Sequence, residues 1–346
     1  MKVLRIFAFP LSMLYGIIMQ IRNGLYNRGV FKSHSFSVKV ISIGNLTAGG
    51  TGKSPHTAYI ANLLSKYRVG ILSRGYGRTT SGFVLADEKS TSGQIGDEPL
   101  MFSRWFPDIP VAVHENRVSG IKKMLELFPD LQVILLDDAF QHRSVKPGLS
   151  LLLTDFFHPW TKNFPFPTGT LREFRCGSKR ADLVVVTKSP SVMSPLLERD
   201  MRKRLKIAPE QGLHFSYITH NLPEPVFDHP ALNEKSYFTS ILLLAGIANP
   251  YPLKDYLGKM CSQMEIMQFP DHHKYSLNDI ENIRSNFHNI VTQNKIIVTT
   301  EKDLMRLEKE EFVQILKDLP LYFVQIQTHL HDEHFDETIL HYVREN

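Results

Sequence analysis

A glycine-rich loop that leads into a helix is the part of this sequence best suited to chemistry. An apolar stretch at residues 41–43 precedes the loop, and Gly52-Lys53-Ser54 opens a segment with helical spacing. Free N–H groups at a helix N-terminus bind anions, and glycines let the backbone wrap a phosphate closely. In such a P-loop the lysine reaches the β- and γ-phosphates and the serine hydroxyl binds Mg²⁺. The predicted ATP or GTP site comprises Thr47, Ala48, Gly49, Gly50, Thr51, Gly52, Lys53 and Ser54.

Two adjacent carboxylates follow a second apolar stretch, residues 133–136. Asp137 and Asp138 stand where P-loop proteins carry the Walker B aspartate, at the carboxyl end of a buried strand beside the Mg²⁺ shell. Adjacent carboxylates repel each other unless a cation or donor offsets them. A strand-end turn or a helix cap is the alternative, but the P-loop upstream favours a metal role. Gln141 and His142 follow closely enough to reach the same cleft.

Two further segments carry acid–base side chains. Asp97 and Glu98 precede a helical segment, where the aspartate could be an N-cap or could orient an acceptor hydroxyl as a base. The spacing favours neither alternative. Phe269-Pro270-Asp271-His272-His273 could hold an Asp–His pair, and a surface loop with a capping aspartate explains it equally well.

Arginines in loops and turns could neutralise a transferred phosphate or hold an anionic acceptor, although most arginines are solvated surface residues. The candidates are Arg74, Arg78, Arg117, Arg172 and Arg175. Residues 299–303 (Thr-Thr-Glu-Lys-Asp) are interpreted as structural, a strand running into a capped helix.

These side chains must be positioned by a folded α/β framework. The 346 residues are 42% hydrophobic and 22% charged, which suggests about two globular domains. Apolar strand-like runs alternate with helical spacing, a pattern typical of βαβ units around a parallel sheet. Two distant cysteines argue against a disulfide framework or structural zinc and fit a reducing cytoplasm. A net charge of +5, without a basic run or a basic-aromatic repeat, gives no indication of nucleic-acid binding.

The N-terminal segment, residues 3–21, is almost wholly apolar and has basic flanks. It lacks a convincing signal-peptide cleavage site and is slightly short for a transmembrane helix. A buried helix is one alternative, but an interfacial helix on an anionic membrane face fits best. The predicted organisation is a membrane-associated helix at 1–32, a P-loop kinase domain at 33–220, a proline-rich linker at 221–230 and a smaller α/β domain at 231–346.

Together these segments resemble the tetraacyldisaccharide 4′-kinase family, the lipid A 4′-kinases, nearly end to end. The residue after Asp138 departs from the family's pattern, since alanine stands where glycine is common. The matching segments are the basic-apolar N-terminal helix, residues 44–55 (GNLTAGGTGKSP), 72–77 (LSRGYG), 96–99 (GDEP), 114–117 (HENR), 137–142 (DDAFQH), 169–173 (GTLRE), 246–250 (GIANP), 269–273 (FPDHH) and 300–303 (TEKD).

The resemblance implies transfer of the ATP γ-phosphate to the 4′-hydroxyl of an acylated glucosamine disaccharide 1-phosphate, with Mg²⁺, on the cytoplasmic face of the inner membrane. By position, Asp97 resembles the base, with His272 as its partner and Lys53 at the phosphates. Ser54, Asp137, Asp138 and Glu98 resemble the groups around the metal. Residues similar to those lining the phosphate and acceptor sites are Arg117, Gln141, Arg172 and Glu173.

Two other functions are less consistent with the sequence. A membrane-associated P-loop GTPase should carry an Asn-Lys-x-Asp guanine motif, and the nearest string, Thr187-Lys188-Ser189, lacks both the asparagine and the aspartate. A lipid-binding module without enzymatic activity would need neither the glycine-rich loop nor the paired carboxylates.

Overall fold

The computed structural model describes residues 2–247, 249–271 and 273–345, with side chains from residue 8 onward. The helices are α1 (Lys2–Asn27), α2 (Lys53–Leu63), α3 (Ser92–Ile95), α4 (Asp97–Trp105), α5 (Arg117–Leu127), α6 (Pro195–Leu205), α7 (Tyr251–Leu257), α8 (Leu277–Asn289), α9 (Glu301–Leu307), α10 (Glu310–Leu316) and α11 (His334–Arg344). The strands are β1 (Lys39–Asn45), β2 (Val69–Ser73), β3 (Val84–Leu85), β4 (Val111–Val113), β5 (Val133–Asp137), β6 (Leu149–Asp155), β7 (Leu183–Thr187), β8 (Gly212–His220), β9 (Glu224–Pro225), β10 (Phe238–Ala245), β11 (Cys261–Gln268), β12 (Lys295–Thr300), β13 (Leu321–Val324) and β14 (Ile326–Leu330).

The larger sheet has the strand order β14-β8-β7-β6-β1-β5-β2-β4-β3. Its inner pairs are parallel, and the two edge pairs, β14–β8 and β3–β4, are antiparallel. The continuous apolar runs at 133–136 and 183–186 form inner strands because helices cover both faces of a parallel sheet. The predicted α/β class with a largely parallel sheet is therefore confirmed.

The carboxyl ends of β1, β5 and β2 lie side by side in this sheet. The P-loop follows β1, Asp137 ends β5, and Ser73 ends β2. Ligands of open α/β sheets bind outside the carboxyl ends of the strands, so this edge is where a nucleotide site is expected.

The C-terminal segment belongs to the larger sheet, although the sequence placed residues 231–346 in one second domain. Strand β14 pairs with β8, and α11 packs Phe335, Ile339 and Val343 into the core formed by β1, β5 and β6. These three residues repeat at helical spacing and form an apolar stripe. Burying that stripe against the larger sheet stabilises the packing of the C-terminal segment on it. The boundary at residue 346 is thus corrected: the second unit ends near Val324.

The second unit is a five-stranded sheet of order β11-β10-β12-β13-β9, with β9 antiparallel to β13. The chain enters it after His220 in β8 and leaves it through Gln325, between β13 and β14. These two crossings touch, because the Asn221 N–H donates to the Gln325 carbonyl at 2.9 Å. Residues 321–330 therefore form two consecutive strands, β13 and β14, that belong to different sheets.

Helix α1 lies against the larger unit through its small and polar residues. Gly16 permits close approach, since a Cβ there would come within 2.4 Å of the Phe174 ring. The Tyr15 hydroxyl donates to the Arg172 carbonyl at 2.9 Å, and the Thr168 N–H donates to the Ser12 hydroxyl at 2.8 Å. Among the helices of the described residues, none is long and apolar enough to cross a membrane.

Replacing Phe335 by alanine should destabilise the unit that contains the larger sheet. Phe335 is fully buried in that core, and large-to-small substitutions of this kind cost about 3–5 kcal/mol. Trp105 and Trp160, the two tryptophans of the sequence, both lie in this unit, so urea unfolding followed by tryptophan fluorescence reports on it. His341→Ala, exposed on the same helix, is the control; an unchanged transition for Phe335→Ala would contradict the packing of α11.

Candidate active site

The P-loop adopts the backbone conformation that its glycines allow. Gly49 has φ +117° and Gly52 has φ +81°, both in the region that side chains rarely adopt. Gly52 is the N-cap of α2, so the helix opens directly at Lys53. Among the described residues, and apart from the chain neighbours of each glycine, no atom lies within 4 Å of the position of a Cβ on Gly49 or Gly50, which leaves the loop open toward a ligand. The N-terminus of α2 therefore presents backbone N–H groups in the arrangement that suits a phosphate.

Side chains at the ends of neighbouring strands hold the loop in place. The Asn45 amide donates to the Thr51 hydroxyl at 2.6 Å, and the Thr187 hydroxyl donates to the Thr51 carbonyl at 3.0 Å. Lys188 Nζ donates to the Gly50 carbonyl at 2.6 Å and pairs with Asp155 at 2.9 Å. Sequence reasoning used Thr187 and Lys188 to argue against a guanine motif and missed this role. The sequence feature that could have indicated this role is the pair of polar residues, Thr187 and Lys188, at the end of the apolar strand β7.

Asp137 is fully buried at the centre of the edge. It accepts hydrogen bonds from the Ser73 hydroxyl at 3.0 Å and the Thr57 hydroxyl at 3.3 Å. Burial, together with the nearby charges of Glu98 and Asp138, raises the pKa of Asp137. Carboxylates assembled this way favour a divalent cation, since Mg²⁺ is commonly bound through one or two carboxylates plus substrate phosphates. Among the described residues, however, no group of three or more His, Cys, Asp or Glu side chains is arranged to hold a metal ion, so the predicted magnesium site stays a prediction.

Asp138 lies between two cations. Its carboxylate is 2.6 Å from Arg172 Nη1 and 3.8 Å from Lys53 Nζ. Burial alone would raise the pKa of Asp138, but Lys53 and Arg172 outweigh it and lower that pKa. Asp138 has φ +47°, a conformation that is uncommon for a residue other than glycine and that clusters at functional sites. The structure therefore brings Lys53, Asp138 and Arg172 together, and the roles predicted for them at the phosphates and the metal stay predictions.

Asp97 and Glu98 begin α4, but neither caps it. Gly96, at φ +93°, is the N-cap residue and has no side chain with which to cap the helix. The Asp97 carboxylate pairs with Arg306 Nη2 at 2.7 Å, and Glu98 pairs with Lys302 Nζ at 3.6 Å. The N-cap interpretation of Asp97 is therefore wrong, because Gly96 is the cap and Asp97 is the first helical residue, while its role as a base stays a prediction.

Arg117 points into the protein. Its side chain is almost fully buried and donates to the carbonyls of His114 at 2.8 Å and Asp137 at 3.1 Å. Burial lowers the pKa of Arg117 to about 10, although Asp137 and Asp138 partly offset this effect, so the group stays charged near neutral pH. Arg117 fixes the carboxyl end of β5 in this structure.

Glu173 and Gln141 connect the edge to helix α1. The buried Glu173 carboxylate accepts from Asn23 of α1 at 2.7 Å, from Arg180 at 2.7 Å and from Gln141 at 3.1 Å. The Gln141 amide also donates to the Asn45 carbonyl at 2.9 Å, just before the P-loop. The hydrogen bonds of these two residues join α1 to the segment before the P-loop, and their predicted place along the phosphate and acceptor sites stays a prediction.

Three other sequence-predicted groups remain. Thr47 makes an antiparallel bridge to Leu171, which brings the neighbouring Arg172 toward Asp138. Ser54 is buried in the first turn of α2. His272 lies outside the described residues; its neighbour His273 pairs with Asp279 at 3.1 Å.

Known proteins match this chain over nearly its whole length. The family model for tetraacyldisaccharide-1-P 4′-kinase matches residues 4–344. A tetraacyldisaccharide 4′-kinase of Flavobacterium johnsoniae is 44% identical, covering 100% of this chain and 99% of the relative. That of Bacteroides thetaiotaomicron is 42% identical over 98% of this chain and 93% of the relative. A solved structure of LpxK from Aquifex aeolicus in complex with ATP has a TM-score of 0.75 at 26% identity, covering 99% of this chain and 100% of that one.

Removing the Glu173 carboxylate should loosen α1 from the edge of the sheet. Glu173→Ala leaves Arg180, Asn23 and Gln141 without a shared acceptor, and breaking a buried charged network costs about 2–4 kcal/mol. Limited proteolysis should then cut within residues 2–30 faster than in the unaltered protein. Glu126→Ala, which removes a solvent-exposed carboxylate on α5, is the control. Equal cleavage rates for the two variants would show that Glu173 does not hold α1.

Proposed function

The chain belongs to the tetraacyldisaccharide-1-phosphate 4′-kinase family, and we propose that the edge around the P-loop carries out this family's reaction with Asp97 as the base. The protein is an ATP-dependent lipid kinase of lipid A biosynthesis. It transfers the γ-phosphate of ATP to the 4′-hydroxyl of tetraacyldisaccharide 1-phosphate and forms the 1,4′-bisphosphate, lipid IVA.

The main support for placing the active site here is the P-loop together with the paired aspartates at the end of a neighbouring strand. Backbone N–H groups from 49–54 and the Lys53 ammonium bind the phosphates in the proposed arrangement. Ser54, Asp137, Asp138 and Glu98 hold Mg²⁺, which supplies charge neutralisation at the β- and γ-phosphates when bound. Phosphoryl transfer asks a protein mainly for positioning and charge stabilisation. The Lys53–Asp138–Arg172 cluster supplies both, since its cations flank the carboxylate beside the P-loop.

Asp97 is proposed to accept the proton of the 4′-hydroxyl as that oxygen attacks the γ-phosphorus and the bond to the β-phosphate oxygen breaks. Its side chain is mostly buried, at the start of α4 beside Glu98, whose charge acts on Asp137 of the metal set. The resemblance makes His272 its partner. Arg172 is proposed to neutralise the transferred phosphate, and Arg117, Gln141 and Glu173 to shape the acceptor side by fixing β5, the P-loop and α1.

The alternative, a P-loop GTPase or an ATPase with another acceptor, has less support. Lys188 follows β7 but contacts the P-loop carbonyl of Gly50 and Asp155, and the asparagine and aspartate of a guanine motif are missing around it.

Helix α1 is proposed to rest on the cytoplasmic face of the inner membrane, where the lipid acceptor presents its headgroup. The face turned away from the protein is apolar and solvent-exposed, comprising Leu11, Leu14, Ile17, Ile18 and Ile21. Arg28 and Lys32 follow it and suit anionic headgroups. An apolar stripe with cationic flanks is the pattern of a helix lying in the interface. Helix α1 is hydrogen-bonded to Arg172 and Glu173, which lie beside the site. This orientation of α1 therefore brings the site to the membrane surface.

The role of Asp97 is tested by a transfer assay with radiolabelled ATP, Mg²⁺ and detergent-dispersed tetraacyldisaccharide 1-phosphate. Removing a general base typically costs about 10²- to 10⁴-fold in rate. Asp97→Ala should therefore abolish most lipid labelling and leave ATP affinity nearly unchanged. Asp108→Ala, an exposed aspartate just beyond the same helix, is the control. A comparable loss of ATP affinity in Asp97→Ala would make Asp97 a metal ligand instead.

The membrane orientation is tested with the double variant Leu14→Glu/Ile18→Glu. Both side chains are 55% exposed, so the fold should survive while two carboxylates enter the apolar face. Co-sedimentation with phosphatidylethanolamine–phosphatidylglycerol vesicles should fall at least tenfold, because burying apolar side chains contributes about 1.5–3 kcal/mol each. Val291→Glu, which adds one carboxylate at an exposed residue of the second unit, is the control. Undiminished sedimentation of the double variant would assign membrane binding to another surface.

A further inference from the structure

Helix α9 of the second unit faces the start of α4 across the boundary between the two units. Lys302 and Arg306 are four residues apart and therefore share one face of α9. That face meets two consecutive carboxylates, with Arg306 on Asp97 and Lys302 on Glu98. The segment interpreted from sequence as a capped helix start does have Thr300 as its N-cap. It also delivers two cations to the carboxylates of the proposed site.

The Arg306 guanidinium contacts Asp97 through two nitrogens. Nη2 lies 2.7 Å and Nε 2.8 Å from Asp97 Oδ2. The side chains are only 6% and 16% exposed, respectively, so solvent screens this pair much less than a surface salt bridge. A planar guanidinium with two bonds to one carboxylate fixes its direction, which a single flexible ammonium does not.

The second unit fixes Arg306 from behind. Arg306 Nη1 donates to Asp303 Oδ1 at 2.9 Å and to the Gly246 carbonyl at 3.2 Å. The fully buried Asp303 accepts in turn from the Gly246 N–H at 2.9 Å and the Thr300 hydroxyl at 2.7 Å. A Cβ on Gly246 would come within 2.6 Å of Asp303 Oδ1, so glycine is required for this close approach. The guanidinium is thus oriented within its own unit and projects its remaining nitrogens toward Asp97.

We propose that Arg306 is the positioning residue for Asp97: it orients the carboxylate for the acceptor hydroxyl and makes this orientation depend on the docking of the second unit. The inference rests on the proposed role of Asp97 as the base. Asp97 is the first residue of α4 and follows Gly96 at φ +93°, and the Arg306 contact from the second unit helps to set the direction of its carboxylate. The two units are joined by the adjacent crossings at residues 221 and 325, and separation of α4 from α9 would break this contact.

A purely structural contact between the units is the competing explanation. Arg104 and Glu308 form another pair across the same boundary, at 3.7 Å, with both side chains more than a third exposed. This pair links α4 to the residue that follows α9 without touching Asp97. It therefore provides a control that removes an arginine from the boundary and leaves the Asp97 contact intact.

The experiment measures kcat and KM in the lipid-labelling assay, and ATP affinity by calorimetry, for Arg306→Gln, Arg306→Lys and Arg104→Gln. Misplacing a reacting group by about 1 Å costs about 10²-fold in rate. Arg306→Gln should lower kcat about 10²-fold while both KM values and the ATP dissociation constant change by less than about threefold. Arg306→Lys should recover about tenfold of the loss, since it restores the charge but not the two-nitrogen contact. Arg104→Gln should behave like the unaltered protein.

A double variant separates positioning from a structural effect. If Arg306 acts through Asp97, Asp97→Ala/Arg306→Gln should be no slower than Asp97→Ala, because residues that act as a unit are not additive. Additive losses, a kcat of Arg306→Gln near that of the unaltered protein, or an equal loss in Arg104→Gln would each overturn the inference. Full activity in Asp97→Ala would instead refute the proposed base. Loss in Asp97→Ala without loss in Arg306→Gln would refute only the positioning role.

Discussion

Burial of carboxylates at one edge of a sheet is the constraint on which the rest of this structure depends. Asp137 is removed from water, and Asp138 and Glu98 are close enough to act on its charge. Such a group is unfavourable unless donors and cations surround it. Hydroxyls from α2 and β2 donate to Asp137, and Lys53 and Arg172 flank Asp138. These contacts come from separate elements, so satisfying the carboxylates also fixes how the elements meet.

The same requirement extends to two helices outside the larger sheet, α1 and α9. Arg172 lies beside Glu173, whose buried carboxylate is bonded to Asn23 of the N-terminal helix. On the other side, α9 brings Arg306 and Lys302 to Asp97 and Glu98. The site is therefore bounded by a helix with an exposed apolar face and by a separate unit joined through two adjacent crossings.

Elements of the fold could be predicted where a local sequence pattern marks them, and could not be predicted where no such pattern exists. Continuous apolar runs gave β5 and β7 because a buried parallel strand is apolar along its length. Strand β8, the mixed sequence 212–220, has no such run and was not predicted. The return of β14 and α11 to the larger sheet was also missed, because a helical stripe shows that a face will be buried but not against which sheet. The pairing of β14 with β8 and the packing of Phe335 and Ile339 beside β1 and β6 assign it.

The sequence by itself determined the chemistry of the site: the glycines that open α2, the lysine and serine after them, and the aspartates at the end of β5. These features are local, since each depends on residue type and on neighbours a few positions away. Tertiary structure decided which distant side chains complete the site. Arg306 and Asp97 are separated by 209 positions, and Asn23 and Glu173 by 150. A local sequence pattern cannot predict such pairs, because they form only when sheet order and domain docking bring their elements together.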